Sequence, residues 1–348
     1  MWTAASVMLL ASFIVAGGAS LAAAQGPGGL AGLREGEVRH GFTARASYSG
    51  LSGTPVGARF VHGTGVVVDV LFFASVPQLS ISVPSVPVSD RGESHALEHV
   101  VLTRGLSGTY LQMLLSMRLA TRYAATYRDR TLYQFRTSGG PDAFYELLAQ
   151  YLTVLVKPDF TDEEVRREVA NLEVVAASDE RLTLSMRGAV YNEMVASMAR
   201  PAYRQPLVLR KMLFGSDHPL SHYAGGDPAQ LWDLSPEALR AFHRANYRIG
   251  PGLALVAALP LTWSADDFLK RLDGRLTPLA PAEAISAPPA LPPFLPAPAG
   301  ETRIGTYPSA SVRQSSSASQ LPPNHSGKLS ARAMRSCSTS RSPGRTVS

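Results

Sequence analysis

Two periods of hydrophobic spacing divide this chain. From His40 to Val76 the sequence reads "HGFTARASYSGLSGTPVGARFVHGTGVVVDVLFFASV". β-branched and aromatic runs broken by Gly and Pro predict strands joined by hairpins. The spacing then lengthens. "SHALEHVVL" predicts a helix from about Ser94 to Leu102, and "TYLQMLLSMRLATRYA" predicts another with Leu111, Leu114, Leu115 and Met117 on its apolar face. "RTLYQFRTS" is strand-like, whereas "PDAFYELLAQYLTVLV" has strong helical periodicity with Pro141 suited to a first turn. "TDEEVRREVANLEVVAAS" opens on a capping box, Thr161 with Glu164, and reads as one helix. "LSMRGAVYNEMVASMA" predicts a helix, and "SPEALRAFHRANY" another, capped by Ser235 with Glu237 in its first turn. "GLALVAAL" closes the series as a buried strand. Strands, then a block of helices, then a strand predict an α+β domain of roughly 250 residues.

Composition sets the outer limits of that domain. Residues 1–24 have an apolar stretch from about Val7 to Val15 and end in Ala22-Ala23-Ala24, an A-x-A-like cleavage site, although no Lys or Arg precedes the apolar stretch. They are read as a signal peptide, which implies a secreted or periplasmic protein with no stable membrane span after cleavage; a retained N-terminal anchor is the alternative. Residues 25–275 form the predicted domain and 276–300 a Pro/Ala-rich linker that cannot build a packed core. In 301–348, "TRIGTYPSAS" starts a further segment before the sequence turns to Ser, Arg and Pro without hydrophobic periodicity, a disordered composition. That abrupt change is read as a truncated or frame-shifted coding sequence, with natural divergence as the alternative.

The charge belongs to the same tail. The formal net charge is +6, but Arg313, Lys328, Arg332, Arg335, Arg341 and Arg345 lie beyond residue 312 with no acid among them. Without those six, 27 basic residues face 27 acidic ones, so the predicted domain shows no nucleic-acid-binding charge excess. Cys337 is the only cysteine, which excludes a disulfide within one chain and a cysteine nucleophile or cysteine zinc cluster in the domain.

The candidate chemistry sits in "SHALEHVVL". On a helix His95 and His99 lie one turn apart on one face, the spacing two imidazoles need to share one Zn²⁺. Glu98 flanks that face without taking a coordination position. Zinc lowers the pKa of a water it holds, and a nearby carboxylate can accept the proton and pass it to a leaving amine. The order H-x-x-E-H is the inverted form of the zinc-protease helix. An ordinary amphipathic helix with two packed histidines is the alternative, so a third ligand is needed. Glu163, Glu164 and Glu168 lie in a charged helix read as facing solvent. Glu173 is a possible ligand, and Glu193 stands inside an otherwise apolar helix, where a lone carboxylate needs a partner or a metal. His218, His222 and His243 are read as structural. There is no G-x-S-x-G elbow, P-loop or complete dinucleotide fingerprint.

Several segments together resemble one family. "GESHALEHVVLTRG" is similar to the active-site segment of the pitrilysin/insulinase zinc metallopeptidases, nearest their presequence-protease branch. "LTLSMRGAVYNEMVASM" resembles the segment bearing that branch's third ligand, and "RDRTLYQF" and "HYAGGDPAQLWDLSPEALRAFHRANYRIG" match in order, over about residues 38–275. The resemblance implies a two-layer roll, an antiparallel-type sheet packed against a block of helices. It implies Zn²⁺ held by His95, His99 and Glu193 (not Glu173), with Glu98 as general base, and endopeptidase action on unfolded or short peptides. It also implies a far half that helps hold the substrate, so activity of this chain alone is expected to be weak, with a partner chain or self-association taking that half's place. Where the family usually has an Asn that holds substrate, this chain offers Tyr123 or Ala124. A noncatalytic relative serving as a structural or binding subunit is the rival reading.

Overall fold

The computed structural model describes residues 27–176, 182–283, 285–293, 303–305 and 316–318. The predicted signal peptide, most of the tail and part of the linker lie outside the described residues.

Alternating burial along the strands builds one mixed sheet of eight. In chain order its strands are β1 (Val38–Arg39), β2 (Phe42–Ser49), β3 (Pro55–His62), β4 (Val67–Phe73), β5 (Gln78–Pro84), β6 (Ala120–Thr126), β7 (Arg130–Thr137) and β10 (Ala254–Pro260). They lie in the order β1-β2-β3-β4-β10-β5-β7-β6. Every neighbouring pair is antiparallel except β4 and β10, so the last strand inserts into the middle of the sheet. That central place explains its near-continuous apolar composition, since a strand with neighbours on both sides is buried more completely than an edge. Strand β6 is an edge. Asn171–Ala176 and Leu182–Arg187, β8 and β9, pair separately as a two-stranded ribbon. Leu172, Val174, Leu182, Leu184 and Met186 share one face of that ribbon and are exposed.

Among the described residues, eight α-helices complete the α+β architecture: α1 (Glu93–Thr103), α2 (Gly105–Met117), α3 (Gly140–Val156), α4 (Asp162–Val169), α5 (Ala189–Met198), α6 (Pro201–Phe214), α7 (Pro236–Asn246) and α8 (Ala265–Leu279). On β7, Thr131, Tyr133, Phe135 and Thr137 alternate inward, and Phe135 packs on Phe144 and Tyr151 of α3. Helix α1 is buried along Ala96, Leu97, Val100, Val101 and Leu102, so its position is fixed by the core. Among the described residues no helix is long and apolar enough to cross a membrane.

Two segments differ from the pattern reading. The helix through "TYLQMLLSMRLATRYA" stops at Met117 and the chain re-emerges as β6. Leu119 takes a positive φ of 49° there, and Ser138 and Thr137 donate to the carbonyls of Leu119 and Arg118, turning the chain onto β7. The helix opened by Thr161 ends at Val169, and "NLEVVA" joins the ribbon. Its adjacent valines fit a paired strand, where β-branched side chains are not crowded by a preceding turn.

One ion pair ties the β2–β3–β4 end of the sheet together. Asp69 is buried and accepts Arg59 Nε and Nη2 at 2.8 Å each and the Tyr48 hydroxyl at 2.6 Å. Removing the carboxylate strands a guanidinium and a phenol on the same face, and hydrogen bonds to charged groups are worth about 1.5–3 kcal/mol each. Asp69→Ala is therefore expected to lower the unfolding free energy by about 2–4 kcal/mol in urea titration. A change below the scatter of the titration would show that water replaces the carboxylate without loss.

Candidate metal centre

Helix α1 begins at an unusual junction. Its N-cap residue, Gly92, has φ of 73°, and a Cβ there would stand 2.8 Å from Gly226 Cα and 2.9 Å from the Gly225 carbonyl oxygen. Only a glycine allows this approach without strain. It brings the Gly225 carbonyl within 3.0 Å of His95 Nδ1, so that nitrogen carries the proton and donates. One turn on, His99 Nδ1 lies 2.9 Å from Glu168 Oε1 on α4 and donates to it. Each imidazole is thus tied through Nδ1, leaving Nε2 as the free lone pair.

Those two Nε2 atoms face Glu193 on α5. His95 Nε2 lies 3.7 Å from Glu193 Oε1, and His99 Nε2 lies 3.6 Å from Glu193 Oε2. The imidazoles meet edge to face, with centroids 4.8 Å apart. One ligand atom from each of the three residues can be chosen so that all lie within 4.8 Å of one another. Atoms about 2.0–2.2 Å from a tetrahedral ion stand about 3.3–3.6 Å apart, so the spacing fits a small divalent cation once the side chains close by up to about 1 Å. The donor set, two imidazoles and a carboxylate with both Nδ1–H groups engaged, is one that suits zinc. His95 is buried, whereas the Glu193 side chain is 54% exposed, so the cluster opens towards solvent on the Glu193 side.

The two histidines differ electrostatically. Burial, and then the neighbouring His99, pushes His95 below the ordinary imidazole range. Burial also acts against charge on His99, but the Glu168 hydrogen bond and charge outweigh it and hold its pKa up. Glu98 also acts on both rings through its charge, and its Oε2 accepts the Thr126 hydroxyl of the edge strand at 2.6 Å. That bond restricts Glu98 beside the cluster while leaving Oε1 unengaged among the described contacts.

His95, His99 and Glu193 are therefore brought together, with Glu98 beside them. Glu173 lies on the ribbon and pairs with Arg187 at 2.9 Å. His243 bonds to the Leu155 carbonyl at 2.8 Å, His218 accepts from Leu220 N–H, and His222 stands 3.5 Å from Asp90. Three positions escaped the sequence reading: Glu168, Thr126 and Gly225. Glu168 was placed on a solvent face, yet it is 4% exposed. Val165 and Val169, four apart, mark the buried face of α4, and Glu168 lies at that face's margin. This spacing was the available signal. Nothing local marks Thr126 or Gly225, because their partners are 28 and 130 residues away.

No family model matches the chain. Among curated proteins, it is 31% identical over 160 residues to the mitochondrial presequence protease of Debaryomyces hansenii, covering 45% of this chain and 15% of that one. The Gibberella zeae presequence protease matches at 31% over 209 residues (57% and 20%), and that of Xenopus tropicalis at 29% over 227 (61% and 21%). The chain thus spans about a fifth of the length of these relatives. In fold, it matches the crystal structure of pitrilysin with a TM-score of 0.56 at 19% identity, over 73% of this chain and 26% of that one. A peptidase M16 inactive domain from Pseudomonas fluorescens matches with a TM-score of 0.52 at 15% identity, over 69% and 54%. Over the matched segments the chain is similar to the presequence proteases, and its fold is pitrilysin-like.

This similarity corrects the secreted or periplasmic placement. The curated relatives are named as mitochondrial, which overturns a placement read from an apolar leader alone. That leader lacked the basic residues an export signal usually places before its apolar stretch.

The Gly92 junction can be tested without metal. Gly92→Ala must move backbone at Gly225 and Gly226, and holding a side chain at this φ adds strain; about 1–3 kcal/mol of stability should be lost. Gly225→Ala should cost less, because its Cβ would meet the flexible Sδ and Cε end of Met194. Equal losses in chemical denaturation would remove the close approach as the controlling feature.

Proposed function

We propose that this chain is a zinc-dependent endopeptidase domain acting on extended peptides. The observation that carries the proposal is the convergence of His95, His99 and Glu193, with each imidazole presenting a free Nε2. These three residues would hold Zn²⁺. When bound, zinc polarises a carbonyl and lowers the pKa of water, the chemistry peptide hydrolysis requires. Glu98, restrained by the Thr126 hydroxyl, would take up the water's proton and return it to the leaving amine. His95 and His99 keep their protons on Nδ1, committed to Gly225 and Glu168, and so do not compete for that role.

The edge strand gives the substrate class. β6 pairs with β7 on one side only, and Thr126 at its end contacts Glu98. An extended peptide added along β6 would be held by main-chain hydrogen bonds, which tolerate many side chains, and would run past Glu98. Where the family resemblance expects an Asn, that strand has Tyr123, which is exposed, or Ala124, so side-chain anchoring of the peptide differs here. The activity of the much longer relatives comes to this chain only as part of this proposal.

Two measurements test it: metal analysis of the purified protein and cleavage of a quenched fluorescent peptide. Near-stoichiometric zinc is expected. Glu98→Gln should retain zinc while hydrolysis falls by about 10²–10⁴, because an amide cannot accept the proton. His99→Ala should lose both. Hydrolysis by Glu98→Gln at the parent rate would remove Glu98 as base. Because weak activity is expected of this chain alone, the assay is run at high protein concentration; zinc binding with no cleavage above the Glu98→Gln background there would favour the rival, a noncatalytic relative with a retained metal site.

A further inference from the structure

The break between α1 and α2 is a single extended residue, Arg104, with φ −118° and ψ 163°. Its backbone is fixed on both sides. Its own N–H donates to the Val100 carbonyl at 2.9 Å, and the next N–H, of Gly105, donates to Glu164 Oε1 at 3.0 Å. A side chain at Gly105 would collide with Asp159, so the glycine is required and the break cannot slide. From this fixed point the Arg104 guanidinium reaches α4. Nε donates to Glu168 Oε2 at 2.9 Å, and Nη2 donates to the same oxygen. The other oxygen of Glu168, Oε1, accepts from His99 Nδ1.

We infer that Arg104 is a positioning residue for the metal centre: by gripping Glu168 Oε2 it fixes Oε1 on His99 Nδ1–H and so aims His99 Nε2 at Glu193. This rests on the zinc reading above but assigns a role to a residue outside the cluster. Glu168 is 5% exposed in its side chain and Arg104 43%, so the buried carboxylate depends on this guanidinium for its second oxygen. A buried carboxylate stripped of its charged partner is costly and must turn towards water. That turn loosens the acceptor that holds the His99 ring.

The sign of the effect separates positioning from bulk charge. Glu98, Glu168 and Glu193 carry three negative charges and Arg104 one positive, so the cluster without metal has a formal charge of −2. Charge alone therefore predicts that deleting Arg104 tightens binding of a divalent cation. Positioning predicts the reverse. Partners of metal-bound histidines are typically worth about 10–100-fold in affinity.

The experiment is a double-mutant cycle on the full chain with Arg104→Met, Glu168→Gln and the double variant. Zinc affinity is read by competition with a chelator, and the His99 tautomer by ¹⁵N NMR on metal-free protein. Arg104→Met should weaken zinc about 10-fold, and that loss should largely vanish in the Glu168→Gln background because Arg104 acts through Glu168. The metal-free parent should show His99 protonated at Nδ1, and Arg104→Met should show a mixture of tautomers. Unchanged or tighter zinc binding in Arg104→Met, or an equal loss in both backgrounds, would overturn the inference. Should the parent bind no zinc, the zinc reading fails by itself and the metal-free spectra decide Arg104: an unchanged tautomer overturns the role, a mixture supports it. Arg104→Lys guards against misfolding of Arg104→Met. It should retain the Nδ1–H tautomer in part, whereas a spectrum identical to the parent's would show that any cation suffices and the two-nitrogen grip does not matter.

Discussion

Both imidazoles of the cluster are fixed by what their outer nitrogens touch. His95 donates to a backbone carbonyl and His99 to a buried carboxylate, and neither can rotate without losing its hydrogen bond. A lone pair on a freely turning ring would seldom face two others at once. Here the turning is arrested before any ligand arrives, so less ordering entropy opposes the convergence of Nε2 atoms on Glu193. The fold can be understood as the means of delivering these two acceptors. Gly225 arrives on the loop before α7, and Glu168 on a helix held at its start by the Thr161–Glu164 capping box.

Helix α4 links the three parts of the site. It packs against both α1 and α5, the helices that bear the histidines and Glu193. Its two inward acids, Glu164 and Glu168, are four residues apart and therefore share a face. One accepts the Gly105 N–H at the break after α1, and the other accepts His99. A rigid displacement of α4 would move the break and the His99 acceptor together. This coupling is mechanical and local, and it gives a highly charged helix a buried role.

The histidine pair and its glutamate were legible in the sequence because their spacing is set by a single helix. Glu193 was legible as an acid among apolar neighbours, and family resemblance separated it from Glu173. The α+β class was legible because the two hydrophobic periods occupy separate blocks. Other features depended on partners distant in sequence. Residues 120–126 have apolar spacing compatible with a helix, and only pairing with β7 makes them a strand. "NLEVVA" continued a helix by pattern, yet it pairs with residues 182–187. Glu168 looked solvated because its helix is charged almost throughout; the Val165–Val169 spacing marks the buried face beside it, but its partners, His99 and Arg104, lie 69 and 64 residues earlier. Capping and periodicity are local properties, whereas acceptors for a buried imidazole are supplied by tertiary structure.

Burial across the cluster is uneven, and the unevenness has a direction. His95 sits against the core, His99 is partly covered, and Glu193 stands half in solvent. A ligand on the buried side can be held rigidly, while one on the exposed side is screened by water and can shift at small cost. The cluster is most open to solvent on the Glu193 side. Glu98 lies between the cluster and the free edge of β6, where Thr126 restrains it. Under the proposed function, the strand with the free edge is also the one that restrains Glu98. Binding along that edge would therefore orient substrate and proton acceptor against a common frame. Such orientation lowers a barrier most when both partners are already fixed, because little freedom remains to be lost as they meet.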